Sequence, residues 1–113
     1  LNTNLGLLKM HLAHNQKALN QPLDVELTAL RVGDFRLVTF PGELTSEIGM
    51  NIKKASGQPG TFVAGYTNGY IYYAPTAKQR LNTGYAQEDC DCLVAPEWQK
   101  AFESQALEML KGL

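Results

Sequence analysis

The sequence predicts an α/β (α+β layered) protein in which mixed β-sheet strands are flanked by helices. Three observations lead there. Leucines recur at mostly helical spacing at Leu1, Leu5, Leu8, Leu12 and Leu19, and a second helical apolar face, Trp98, Phe102, Ala106, Met109 and Leu113, stands near the other end. Val25 to Phe40 is a β-rich stretch split by the turn dipeptide Gly33-Asp34. After Pro41-Gly42 the apolar period lengthens, and Leu44, Ile48, Ile52 and Ala55 fall on one helical face.

Taken in order, residues up to about Leu19 read as an amphipathic helix that Asn20 to Pro22 break. His11 and His14 lie on its more polar side, within reach of a common metal; the plainer reading is a pair of exposed histidines. Val25, Leu27 and Ala29 alternate with Glu26 and Thr28, as in a half-buried strand. Phe35 to Phe40 is its antiparallel hairpin partner, and Pro41-Gly42 stops the pair. The helix from Leu44 ends at Ser56-Gly57-Gln58-Pro59-Gly60. Thr61 to Ala64 is a short strand, followed by a tyrosine-rich loop to Thr76, which caps a short helix through about Leu81. Pro96 suits the first turn of the last helix. The strands make a meagre sheet, so a larger sheet to which they contribute is expected.

Bulk properties bound the function classes. The 113 residues suit one compact domain, and 44% apolar with 19% charged residues is a globular composition. At this size roughly 65% of the unfolded surface is buried on folding, enough for a real core. Ten basic and 11 acidic side chains give a net charge of −1, with no basic run to suggest a nucleic-acid partner. No apolar run approaches the ~18 residues of a transmembrane span, and no signal peptide is read. The opening on Leu1 rather than methionine reads as an excised or processed segment. Cys90 and Cys92 lack Cys-x-x-Cys spacing; on a strand they would share a face and could chelate a soft metal, but ordinary thiols are the simpler reading.

Two places look chemical. In Phe40-Pro41-Gly42-Glu43-Leu44-Thr45 a strand ends and a carboxylate stands at a helix start, where α/β proteins often place their sites. Glu43 could equally complement the positive end of that helix, worth ~0.3–1 kcal/mol. The other place is Gly65 to Tyr73, with Tyr66, Tyr70, Tyr72 and Tyr73 among Asn68 and two glycines. Its phenols could donate to an oxyanion, bind a metal, or pack as an aromatic strip.

The ordered segments Val25-Glu-Leu-Thr-Ala-Leu-Arg-Val-Gly-Asp34, Pro41-Gly-Glu-Leu-Thr45 and Gly65-Tyr-Thr-Asn-Gly-Tyr-Ile-Tyr-Tyr73, with Thr76 and Tyr85 beyond, resemble the neutral (alkaline, non-lysosomal) ceramidase family. The likeness runs from about Asp24 onward and includes Ala95-Pro96-Glu97 and Ala106 to Leu110. It implies that residues 1–113 are a single segment, the C-terminal portion of a ceramidase-like catalytic domain of αββα type. It also implies a zinc-dependent amidase that splits the N-acyl bond of ceramide-like lipids into fatty acid and sphingoid base. Carried over residue by residue, Glu43 and Tyr73 are zinc ligands, and Tyr85 assists at the scissile amide. Tyr85 is followed by Ala86-Gln87-Glu88, where the family usually has Tyr-Glu-Gly.

The family's two zinc histidines lie in upstream motifs that His11 and His14 do not match. The remaining Zn²⁺ ligands are therefore expected outside this chain, and the segment alone is expected to be inactive. The implied partners are a ceramide-like lipid, the rest of the parent catalytic domain and possible contact with a membrane surface. The implied location is secreted, periplasmic or cell-surface. The competing reading is a non-catalytic ceramidase-like binding or structural module without a complete metal site.

Overall fold

In a computed structural model, residues 2–18, 21–81 and 92–113 are described. Helix α1 spans Asn2–Ala18, as the leucine spacing predicts. Its orientation does not follow that spacing. Leu5, Leu8 and Leu12 are 50%, 43% and 59% exposed, whereas His11 is 2% exposed. The helix contacts the body of the protein through the face carrying half-buried Leu7 and buried His11, one turn apart. The reading of two exposed histidines thus holds for His14 and fails for His11.

The first strand is also shorter than its alternation suggests. Residues 21–28 have no regular structure, and β1 is Ala29–Val32. It pairs antiparallel with β2, Phe35–Thr39, across a turn in which Gly33 has φ 59°. Extending β1 backwards would require pairing with Phe40 to Gly42. Those backbone groups are engaged elsewhere: Thr67 N–H donates to Phe40 O, Ile71 N–H to Pro41 O and Tyr66 N–H to Gly42 O. The last link to β2 is made at Thr28, whose N–H donates to Thr39 Oγ1 at 2.9 Å while its carbonyl accepts Thr39 N–H at 2.9 Å.

Glu43 and Leu44 do not begin a helix. They form the two-residue strand β3, and helix α2 runs Ser46–Ser56. The chain stays committed to sheet rungs through Thr45, because Glu43 N–H donates to Tyr72 O and Thr45 N–H to Ala74 O. The acidic residue in the first turn of α2 is Glu47, so the dipole-complementing role considered for Glu43 passes to Glu47. Ile48 and Ile52 are fully buried, while Ala55, expected on the same face, is exposed. Gly57 ends α2 at φ 65°, donating its N–H to Lys54 O; a left-handed cap is where glycine carries no Cβ penalty.

Strand β4, Thr61–Ala64, returns parallel to β2 with Val38 opposite Val63, and α2 supplies the crossover that a parallel pair needs. The sheet order is β1-β2-β4. A separate parallel pair joins β3 to β5, Tyr73–Ala74, inside the stretch expected to be loop. Beyond it Thr76 caps a 3₁₀ turn, Gln79–Leu81, reciprocally: Gln79 N–H donates to Thr76 Oγ1 and Thr76 N–H to Gln79 Oε1.

Helix α3, Trp98–Lys111, buries Phe102, Ala106 and Leu110. Leu110 replaces the Met109 and Leu113 of the expected face, since a strict four-residue step from Phe102 leads to it, and Leu113 lies past the helix end. These residues pack with Val38, Phe40, Ile48, Ile52 and Ala74 into one core, on the side of the sheet covered by α2 and α3. Residues in register share a face, so Leu30, Leu37 and Phe62 lie on the opposite side. There Phe62 stacks on Phe35 at 5.1 Å and both remain over 40% exposed. The observed class is the α/β arrangement of helices with mixed sheets expected from the sequence.

Candidate functional site

Pro41-Gly42 ends β2 and turns the chain into β3, and the tyrosine loop wraps this turn. Gly42 is required by close approach: a Cβ there would lie 2.9 Å from both the Phe40 ring and Tyr72 O. The wrap is held by backbone hydrogen bonds from Tyr66, Thr67 and Ile71 to Gly42, Phe40 and Pro41, at 2.9, 3.1 and 2.7 Å. Tyr66, Asn68 and Tyr72 adopt φ of 52°, 63° and 64°. Left-handed non-glycine residues are uncommon and cost of order 1–3 kcal/mol each, and they concentrate at ligand clamps and active sites.

This backbone brings Glu43 and Tyr73 together. They are register partners in the parallel β3–β5 pair, so their side chains leave the same face. Both are half-buried. Thr45, two residues on from Glu43 and 9% exposed, places Oγ1 3.3 Å from Tyr73 Oη and donates to Ala74 O at 3.0 Å. The threonine has one hydroxyl proton: it serves Ala74 O while a neutral phenol donates to Thr45, and it turns to Tyr73 when that oxygen has lost its own proton.

The remaining tyrosines extend outward. Tyr66 and Tyr70 stack at 5.9 Å with 7° between ring planes, and Tyr70 meets Tyr72 at 5.3 Å. Tyr72 receives the His11 ring edge-on at 4.8 Å. The Tyr66 phenol is held above its ordinary pKa by desolvation, by its hydrogen bond to Glu43 and by the charges of Glu43 and Tyr70. Tyr66 and Tyr70 are 63% and 56% exposed, so this is an open aromatic wall beside the carboxylate rather than a packed strip.

Behind Tyr72 lies an apolar cavity of about 1050 Å³ between α1, the segment after it and α3, lined among others by His11, His14, Leu27, Phe40, Tyr72 and Trp98. The two histidines sit on that side. No group of three or more His, Cys, Asp and Glu able to hold a metal occurs among the described residues. Glu43 and Tyr73 bear oxygen donors of the kind a metal accepts and leave the same face, but a four-coordinate ion would need further ligands beyond these two. Tyr85 and Cys90 fall outside the described residues. Cys92 is buried, and Arg80 donates to its Sγ and to Val94 O.

Sequence reasoning passed over Thr45 and gave Tyr66 no role beside Glu43. Thr45 would be read from sequence as an ordinary helix cap, and nothing local reports the return of Tyr73 to its side.

No family model matches the sequence, and no curated protein is significantly similar to it. Among solved structures, the neutral ceramidase from Pseudomonas aeruginosa is similar, with a TM-score of 0.58 and 24% identity over 74% of this chain. The match spans 14% of the length of that protein. A likeness at this identity establishes a shared fold.

Proposed function

We propose that this chain supplies half of a zinc site in the catalytic domain of an amidohydrolase acting on ceramide-like lipids. The observation that carries the reading is the register pairing of Glu43 with Tyr73. The sequence likeness assigns these two residues as zinc ligands, and the parallel pair sets their side chains on one face. The fold shared with a neutral ceramidase supports the same reading. So does the open apolar face of Leu30, Leu37 and Phe62, which suits a sheet packed inside a larger layered domain.

In this proposal Glu43 and Tyr73 hold the metal with histidines from elsewhere in the parent protein. Zinc in such a shell would supply Lewis-acid polarisation of the amide carbonyl. Thr45 orients the Tyr73 phenol, and Tyr66 lies against Glu43. Tyr85 would donate a hydrogen bond to the carbonyl oxygen as negative charge develops there.

The test is metal analysis of the intact protein together with an amidase assay on ceramide. Glu43→Ala and Tyr73→Phe are each expected to remove zinc and hydrolysis together. Full zinc occupancy in both variants would overturn the assignment, and an intact protein that neither binds zinc nor cleaves ceramide would favour a non-catalytic module.

A further inference from the structure

We infer that Thr45 is a positioning residue for Tyr73, its hydroxyl turned away from the helix it precedes and toward the phenol. The inference rests on the reading of Glu43 and Tyr73 as metal ligands.

Thr45 occupies the N-cap position of α2, with φ −57° and ψ 130°. A threonine there ordinarily accepts a hydrogen bond from an amide of the first turn. Thr45 makes no side-chain cap bond. The Ile48 N–H goes to the Thr45 backbone carbonyl at 3.1 Å instead. The hydroxyl points back across the sheet pair, 3.0 Å from Ala74 O and 3.3 Å from Tyr73 Oη. It is nearly excluded from solvent, so little water competes for it.

The geometry gives this contact leverage. Register fixes the Tyr73 Cα opposite Glu43, but the phenol oxygen lies at the end of a side chain free to turn about two bonds. Tyr73 Oη has Thr45 Oγ1 as its side-chain partner among the described hydrogen bonds. Thr45 is itself anchored, by its backbone N–H to Ala74 O and by its hydroxyl to the same carbonyl. One oxygen thus ties the end of the phenol to the strand that carries Glu43. Partners of this kind, one step outside a metal, typically change metal affinity 10- to 100-fold when removed.

The experiment compares Thr45→Val and Thr45→Ser in the intact protein. Valine keeps the branched shape and loses the hydroxyl; serine keeps the hydroxyl. Zinc affinity is read by chelator competition, with melting temperature measured on the same metal-free samples. Thr45→Val is expected to weaken zinc about 10- to 100-fold and Thr45→Ser to bind like wild type, with the metal-free melting temperature of Thr45→Val falling only by what its two lost hydrogen bonds cost.

Wild-type zinc affinity in Thr45→Val would overturn the inference while leaving the metal reading intact. A loss accompanied by unfolding of the metal-free protein, or an equal loss of zinc in Thr45→Ser, which keeps the hydroxyl, would also overturn it, showing a general structural role. If the wild-type protein holds no zinc, or Tyr73→Phe holds it equally well, the metal reading fails first and this role of Thr45 falls with it.

Discussion

Glu43 and Tyr73 stand opposite each other in the β3–β5 pair, and the rungs beside them are backbone bonds, Glu43 N–H to Tyr72 O at 3.0 Å and Thr45 N–H to Ala74 O at 3.3 Å. The two residues are therefore set side by side by main chain. Altering either side chain should change the chemistry of the site and spare its architecture. Glu43→Gln and Tyr73→Phe are expected to lower metal-free stability by no more than about 1.5 kcal/mol, the range of one hydrogen bond lost at a partly exposed position. Denaturant melts followed by circular dichroism check this; a loss of several kcal/mol would mean that the pair holds up the fold.

Gly42 should behave differently. Its missing Cβ makes room for the Phe40 ring and the Tyr72 carbonyl, each 2.9 Å from where that atom would stand, with Ile71 Cγ1 at 3.0 Å. Two of these neighbours belong to the loop that carries Tyr73, and the carbonyl cannot yield without breaking its bond from Glu43 N–H. Gly42→Ala is expected to cost about 1–3 kcal/mol, as overpacking does, and to weaken metal binding as well. Melting combined with zinc titration separates this variant from the pair above, which should lose metal with little loss of stability.

Much of this was legible in the sequence where a pattern is local. The Gly33-Asp34 turn, the Ile48 and Ile52 face, the Gly57 stop and the Thr76 cap all depend on residues within a turn or two of one another. The errors fall where distant backbone competes. The Val25 and Leu27 alternation is real, but the tyrosine loop takes the carbonyls those residues would pair beside. Glu43 looks like a helix start until β5 arrives to make it a strand. His11 lies among polar neighbours on α1, yet packs edge-on against Tyr72, a contact that no periodicity reports. Its place at a strand end marks Glu43 in the sequence, but a metal role for it, and the choice of Tyr73 among the tyrosines, rest on the family likeness and not on the pattern.

The core makes a prediction about which element braces the site. Ile48 and Ile52 are fully buried and belong to the same cluster as Val38 and Phe40 of the main sheet and Ala74 of β5. Helix α2 packs against β4 and α3 and shares one core with Ala74 of β5. Ile48→Ala or Ile52→Ala is expected to cost about 2–5 kcal/mol, the range for removing a buried aliphatic side chain. Leu5→Ala on the exposed stripe of α1 should stay within about 0.5 kcal/mol, because Leu5 is 50% exposed. Equal losses at Ile48 and Leu5, measured by chemical denaturation, would show that the leucine face of α1 is buried after all.

Tyr66 supplies a pH-dependent readout of the Glu43 environment. Its pKa is raised from 10.0 by desolvation first, then by the hydrogen bond to Glu43 and the charges of Glu43 and Tyr70. The folded protein therefore keeps this proton at pH values where the unfolded chain has lost it. The contribution to stability is complete below the ordinary tyrosine value and disappears as pH rises through the higher folded value. Phenolate absorbance in metal-free protein should show a late-titrating component that Tyr66→Phe removes. Glu43→Gln should move that component downward, because it removes the neighbouring negative charge and weakens the acceptor. Tyr70→Phe should move it less, since the Tyr70 charge is the smallest of the four causes. A late component that persists unchanged in Glu43→Gln would separate Tyr66 from Glu43 and leave desolvation alone to account for the shift.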